Sequence, residues 1–457
     1  MKAYQMLGRA YEHLGQHREA EICFKTAIRI GRCVFDPTAV DLFNSLAEVY
    51  QSLGNHKEAK RNHEGALDIA KLLYGEKHFQ VAKSYNGLAF VYERLGQPKK
   101  ALEYFREALH LTQQVCGENH PETAGSYNNL ALAYVNLNSG KKAEESFLRA
   151  INLQNSIFGE NHPATATSYQ NLAEVYRDFG NYEEAIQLFE KAIKIIETFY
   201  GKKHFQAAAS YTGLGITYNK LGKYEEAEKC HQTALEIIKP IKGEIHQETA
   251  AVYNNLGLVN RNLRKFKVAK DFHTRALKIE ESLYEGAHPR TACSFTNLAL
   301  VYQDLGDHDK GLSFATKSLE MRKAIYGEEH KDTANAYNNL ARGYEVVGKF
   351  SEMIENYTKA LNIYKRVHGE KHPDTALVYY NLGSGQLMFG KNEEAKESLT
   401  KAYTNQKEIL GNDHHDTFES GQALSMVNML CELPDGQRRI FQQEVLKLFN
   451  QQRFTRK

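Results

Sequence analysis

Apolar residues along this chain fall at intervals of three and four, and the stretch from Gly159 to Tyr200 shows the arrangement most plainly. Tyr169, Leu172, Ala173, Tyr176 and Phe179 share one helical face, because side chains three and four residues apart stack on the same side. His162-Pro163 opens that helix; proline tolerates the first helical position, where its missing N–H costs nothing. Gly180 closes it, since glycine takes the left-handed cap conformation cheaply. A second helix follows with Ala185, Leu188, Phe189, Ala192, Ile193 and Ile196 at the same spacing. Neither helix buries its stripe alone, so the pattern predicts a pair that stacks on copies of itself.

The copies are present. The turn glycine recurs at a period of 42 residues at Gly54, Gly96, Gly180, Gly222, Gly306, Gly348 and Gly390, with Asn138 and Arg264 in the two gaps. Gly15 stands 39 residues before Gly54, because the loop around Asp36-Pro37 is shorter. The result is ten repeats, and such repetition decides the fold before any other signal. Eight residues before each turn stands a Leu, from Leu7 and Leu46 to Leu382; seven before stands Ala or Gly; eleven before stands Tyr or Phe. Twelve after the turn the residue is Ala in nine repeats and Ser318 in one. Small residues at fixed points let two helices approach closely, and Leu with an aromatic ring fills the space between them.

These residues resemble the tetratricopeptide repeat, which the first repeat carries as Tyr4, Leu7, Gly8, Tyr11, Ala20, Phe24 and Ala27. The 42-residue period, the runs Asn128-Asn129-Leu130-Ala131 and Asn338-Asn339-Leu340-Ala341, and the GExHP loop are similar to the kinesin-light-chain type, found also in long arrays of the nephrocystin-3 kind. The resemblance implies an all-α fold, a right-handed α-solenoid of about ten antiparallel helix pairs over residues 1–410. Residues 411–457 then form a degenerate helical repeat acting as a C-terminal cap. The sequence contains no heptad segment of the kind through which kinesin light chains dimerise and bind the motor, and ten repeats exceed their usual number.

Length therefore counts repeats rather than domains. The 58 basic and 56 acidic residues leave a formal net charge of only +2, which argues against nucleic acid or a membrane surface as dominant partner. Six cysteines without CxxC spacing suggest neither zinc nor disulfides and point to a reducing, cytoplasmic setting. No apolar run approaches a membrane span, and no signal peptide is present. The sequon Asn356-Tyr357-Thr358 is read as accidental. Met1 already lies inside a first helix, which suggests a fragment of a longer protein or an end covered by a neighbour.

Regularity weakens between about 240 and 360. Pro240 is expected to end its helix early or bend it; Arg264 replaces the turn Gly and Asn260 the expected Tyr; Gly311 and Met353 replace small residues of the pattern. This softer stretch is either a bend or ordinary drift between repeats. Beyond Gly411, Asp416 to Leu430 patterns as a first helix, and Gln437 to Phe449 as an amphipathic cap with Ile440, Phe441, Val445 and Leu448 on one face.

Chemistry is sparse. Nine histidines share one loop position: His78, His120, His162, His204, His246, His288, His330, His372 and His414. Stacked helices sit roughly 8–10 Å apart, too far for these rings to meet at metal–nitrogen distances of about 2 Å, so each is expected to cap the following helix. Phosphate-binding, HExxH and calcium-loop patterns are missing. Glu183-Glu184 and Glu225-Glu226 open second helices, where acids suit the helix dipole. No enzyme, cofactor, metal or small-molecule substrate is expected.

What remains is surface. In the resembled family the residue ten before each turn points into the concave groove. Here that row includes Asn44, Asn86, Asn128, Gln170, Thr212, Asn254, Thr296 and Asn338. An amide both donates and accepts, so such a row suits an extended peptide backbone. Four residues further, Phe90, Leu132, Ile216, Leu258 and Leu300 offer apolar anchors, or else pack on neighbouring helices. Arg94, Arg177 and Arg261 favour acidic flanks. Asn86, Asn128 and Asn254 are expected on the solvent side, so that truncating them costs little stability. The sequence thus points to a non-enzymatic scaffold holding a protein or peptide segment. A regulatory sensor portion of a longer signalling protein and a kinesin-light-chain-like cargo adaptor are the alternatives.

Overall fold

The computed structural model describes residues 2–31, 37–412, 414–434 and 437. Among these the chain is helical throughout and divides into two compact units, Met1–Ile241 and Lys242–Lys457. The first unit contains the pairs α1 (Lys2–His13) and α2 (His17–Gly31), α3 (Pro37–Ser52) and α4 (His56–Tyr74), and α5 (Phe79–Arg94) and α6 (Pro98–Cys116). It continues with α7 (Pro121–Asn136) and α8 (Gly140–Phe158), α9 (Pro163–Asp178) and α10 (Tyr182–Tyr200), and α11 (Phe205–Lys220) and α12 (Tyr224–Lys242). The second unit contains α13 (Gln247–Asn262) and α14 (Phe266–Leu283), α15 (Pro289–Asp304) and α16 (His308–Tyr326), and α17 (Lys331–Val346) and α18 (Phe350–His368). It closes with α19 (Pro373–Met388), α20 (Asn392–Leu410) and α21 (His415–Glu432).

From α1 to α11, and again from α13 to α21, each helix packs on the next, and most first helices also touch the first helix of the following pair. The tenfold Leu explains why. Leu46, Leu88, Leu172, Leu256 and Leu298 are all buried between helices, each worth roughly 1.5–3 kcal/mol of burial. Leu7 is the exception, 44% exposed in α1. Close approach is visible at the small position seven before the turn. A Cβ on Gly8, Gly215 or Gly257 would fall 2.8, 2.6 or 2.5 Å from the ring of Phe24, His231 or His273.

The turn itself demands a positive φ. Asn138 and Arg264 adopt φ of 53° and 59°, the same left-handed region as the glycines they replace; the neighbouring helices fix the turn whatever side chain stands there. Pro240 does not shorten its helix. α12 runs to Lys242 and is as long as α10, because a proline in the last turn removes only one backbone bond near an end that frays anyway. Asn356 is buried and donates to the Glu352 carbonyl at 2.7 Å, so its sequon presents no accessible amide. α21 matches the expected eleventh first helix, whereas Ile440, Phe441, Val445 and Leu448 lie outside the described residues.

Ala192 is wholly buried between α9 and α10. Ala192→Phe should force that pair apart at a cost of about 1–3 kcal/mol. The damage should stay local, because each repeat contacts only its neighbours. Hydrogen exchange should then rise around 160–235 alone; uniform loss of protection along the chain would refute nearest-neighbour stabilisation.

Candidate functional site

The row ten before each turn is not a free ladder of amides. In the first unit Asn44 donates through Nδ2 to Ser84 Oγ at 3.4 Å, Asn128 to Ser168 at 2.8 Å, and Gln170 to Ser210. Each serine lies on the next first helix, forty residues on, so the amides stitch one repeat to the following one. Asn86 differs: its Oδ1 accepts from Asn129 Nδ2 at 3.4 Å. Thr212 turns its hydroxyl onto its own helix at Ala208. In the second unit Asn254 donates to Ser294 at 2.8 Å and to Glu280 at 3.2 Å, and Asn338 accepts from Asn381 at 3.0 Å. Thr296 bonds Ala292 and Ser318.

This corrects the expectation that Asn86, Asn128 and Asn254 project freely into solvent. They are half-buried, and Asn44 and Asn338 are buried. One clue was present in the sequence: in five places of the row Asn or Gln stands forty residues ahead of a Ser, and four of those pairs bond, whereas Ser126 donates to Thr112 instead of meeting Asn86.

The apolar row is half-buried in both units. Phe90 sets its ring edge-on to Phe105 of its own pair at 5.0 Å, leaving part of its surface outward. Leu132 and Ile216 in the first unit, and Leu258 and Leu300 in the second, are exposed to a similar intermediate degree. The arginines divide. Arg94 is exposed, whereas Arg177 bonds Asp178 at 3.1 Å and Arg261 pairs with the buried carboxylate of Asp304. Two of the three cations are thus already neutralised within their own unit.

Sequence reasoning missed three buried histidines nine residues after the turn, where four other repeats carry Phe24, Phe105, Phe147 and Phe189. His63 Nδ1 lies 2.8 Å from Asn44 Oδ1, and its Nε2 lies 3.0 Å from Gln51 Nε2. Since Asn44 Oδ1 can only accept and the Gln51 amide nitrogen can only donate, the ring is neutral with its proton on Nδ1. His273 Nδ1 meets Asn254 Oδ1 at 2.9 Å in the same manner. Burial pushes His63 and His231 down to about 4, and burial with Arg261 nearby pushes His273 to about 3. Burial also raises the carboxyl of Glu280, which sits beside Asn254.

The nine loop histidines cap helices as expected. Each accepts a backbone N–H two residues on through Nδ1, at 3.2 Å for His78 and 3.1 Å for His330. Most also stack on a ring at the end of the preceding helix, such as Tyr74 on His78 at 4.1 Å and Phe158 on His162 at 4.3 Å. Among the described residues His368, His372 and Asp374 bring ligand atoms within 4.8 Å of one another. The two imidazoles are stacked at 4.1 Å and only 12° from parallel, so their in-plane lone pairs do not converge on one ion, and His372 Nδ1 already accepts from Asp374 N–H.

The arrangement therefore offers surface recognition. The tetratricopeptide repeat is the family whose sequence model matches residues 38–114, 81–139, 122–198, 205–282, 290–352 and 343–408, with a further match to a repeat of that kind at 2–30. Among solved structures, BtubC (BKLC) from P. vanneervenii is similar at 25% identity over 51% of this chain and 91% of its own, with a TM-score of 0.44. The apo form of the quorum sensor NprR from B. thuringiensis is 20% identical over 79% of this chain and 98% of its own, at 0.53. A STAND signal-transduction ATPase with a tetratricopeptide repeat sensor from Pyrococcus horikoshii is 15% identical over 87% of this chain and 56% of its own, also at 0.53. No curated protein matches the sequence. The chain belongs to the tetratricopeptide-repeat family, and its 42-residue repeats are of the kinesin-light-chain type.

Proposed function

We infer that the chain is a non-enzymatic scaffold that binds an extended protein segment along the face of its first helices. The observation that carries this reading is the half-buried apolar row, Phe90, Leu132 and Ile216 in the first unit and Leu258 and Leu300 in the second. It runs beside an amide spine whose members are locked by their own hydrogen bonds. A rigid polar spine holds the apolar side chains in register, and an extended segment gains affinity from anchors that meet a pre-organised surface. In this reading the amides chiefly position the face rather than hold the ligand, and Arg94 is the cation best placed to contact an acidic flank.

Leu132→Glu and Leu258→Glu test it. Each places a charge where an anchor would sit, and because neither Leu is fully buried, the array should keep its helicity. Partners recovered quantitatively with the intact protein should fall at least roughly ten-fold, about 1.4 kcal/mol of affinity. Full recovery with both variants, folded by circular dichroism, would move the search to the loops or the outer helices.

A further inference from the structure

Repeat eight lacks a part that its neighbours have. Nine residues after the turn, four repeats place Phe and one places Tyr357, but here stands Ala315. Gly311 replaces the usual alanine five after the turn, and Ser318 the usual alanine twelve after. The missing ring leaves a partly open cavity of ≈ 10 Å³, room for one methyl group or one water. Its walls are Thr296, Ala299, Leu300 and Gln303 from α15, Ala315 and Ser318 from α16, and Ala336 and Asn339 from α17. Leu300 belongs to the apolar row, so the opening lies on the face assigned above to the bound segment.

A second feature coincides with the first. Asn129 and Asn381 stand at the same place in their helices as Asn339, and each donates to the amide of the preceding repeat, Asn86 or Asn338. Asn339 faces Thr296 instead, whose hydroxyl is engaged with Ala292 and Ser318. Asn339 makes no such bond, and its amide lines the cavity that the lost ring creates.

We propose that this cavity receives one methyl side chain, that of an Ala, of the bound segment, while Asn339 hydrogen-bonds the backbone of that residue. The proposal rests on the interaction reading above and adds its specificity. The size follows from the volume: the space beside the Ala299, Ala315 and Ala336 methyls holds one methyl group, whereas a ring would have to displace Leu300. The pairing of apolar floor and amide rim matches a peptide residue, which presents one apolar side chain flanked by a C=O and an N–H.

The test is selection of phage-displayed random linear peptides on the intact chain, followed by affinity measurement with the purified peptides. Ala315→Phe restores the ring that other repeats use. Ala336→Val narrows the cavity from the opposite wall with a residue already present at the equivalent positions 252 and 378, which covers the case in which the larger change disturbs folding. Selected peptides should share one Ala position and bind both variants at least roughly ten-fold more weakly. Asn339→Ala should weaken them a few-fold, with melting unchanged. Peptides that bind both filled variants as well as wild type, yet are lost on Leu258→Glu, overturn the cavity and leave the interaction reading standing. An aromatic consensus at the shared position overturns the size class, and failure of any peptide to be retained overturns both readings.

Discussion

At about pH 5, His231→Phe should be more stable than the wild-type chain by about 2 kcal/mol, and the difference should shrink to the packing effect alone above pH 7. The wild-type ring is buried against Gly215, and burial lowers its pKa from an ordinary 6.5 to about 4. The unfolded chain therefore takes up the proton first as the pH falls. Stability is complete above about 6.5 and drains away between 6.5 and 4, where the unfolded state binds more protons than the native one. At pH 5 the deficit is about 1.5 pH units, each worth 1.36 kcal/mol. Phenylalanine does not titrate, and its ring is already accommodated at the same place against Gly8 by Phe24. His63 and His273 have the same sign, so the array should lose stability in acid at three separated points. Denaturant unfolding of both proteins across the range decides it. Parallel loss in wild type and variant would place the acid sensitivity elsewhere.

The second large effect belongs to the polar spine. Asn254→Ala should destabilise the second unit by roughly 2–4 kcal/mol, whereas Asn86→Ala should cost under about half of one. Asn254 satisfies three groups at once: the His273 ring N–H, the Ser294 hydroxyl and the buried Glu280 carboxyl. Its removal leaves buried polar atoms unpaired at about 1–3 kcal/mol each, partly relieved by rearrangement. Burial already leaves Glu280 Oε2 and His273 Nε2 without partners, so the cluster has no spare donor to compensate. Asn86 accepts a single long bond of 3.4 Å from Asn129, which can turn to water instead. Hydrogen exchange in 247–305 reports the first variant and in 79–140 the second. Equal, small effects would mean that the spine is incidental to the stacking of repeats.

Much of this protein was determined by the sequence itself. The helix pairs, the turns and the caps are local devices, written by apolar spacing, by Gly or its substitutes at the turn, and by His before nine of the first helices; they recur along the chain, so each copy corroborates the others. Even Asn138 and Arg264 were placed correctly at the turn, because the period located them. What only the tertiary structure decided is the destination of polar side chains on the first helices. An Asn ten residues before a turn is compatible with solvent, ligand or a neighbouring helix. Asn86 and Asn128 each have a Ser forty and an Asn forty-three residues on, yet Asn86 pairs with Asn129 and Asn128 with Ser168, a choice made by how closely the helices stack. The same holds for His63, His231 and His273: periodicity marks the position as core, but whether a polar ring there is neutral, paired or orphaned follows from the atoms packed around it, since burial acts on a charge through three-dimensional surroundings that no one-dimensional spacing encodes.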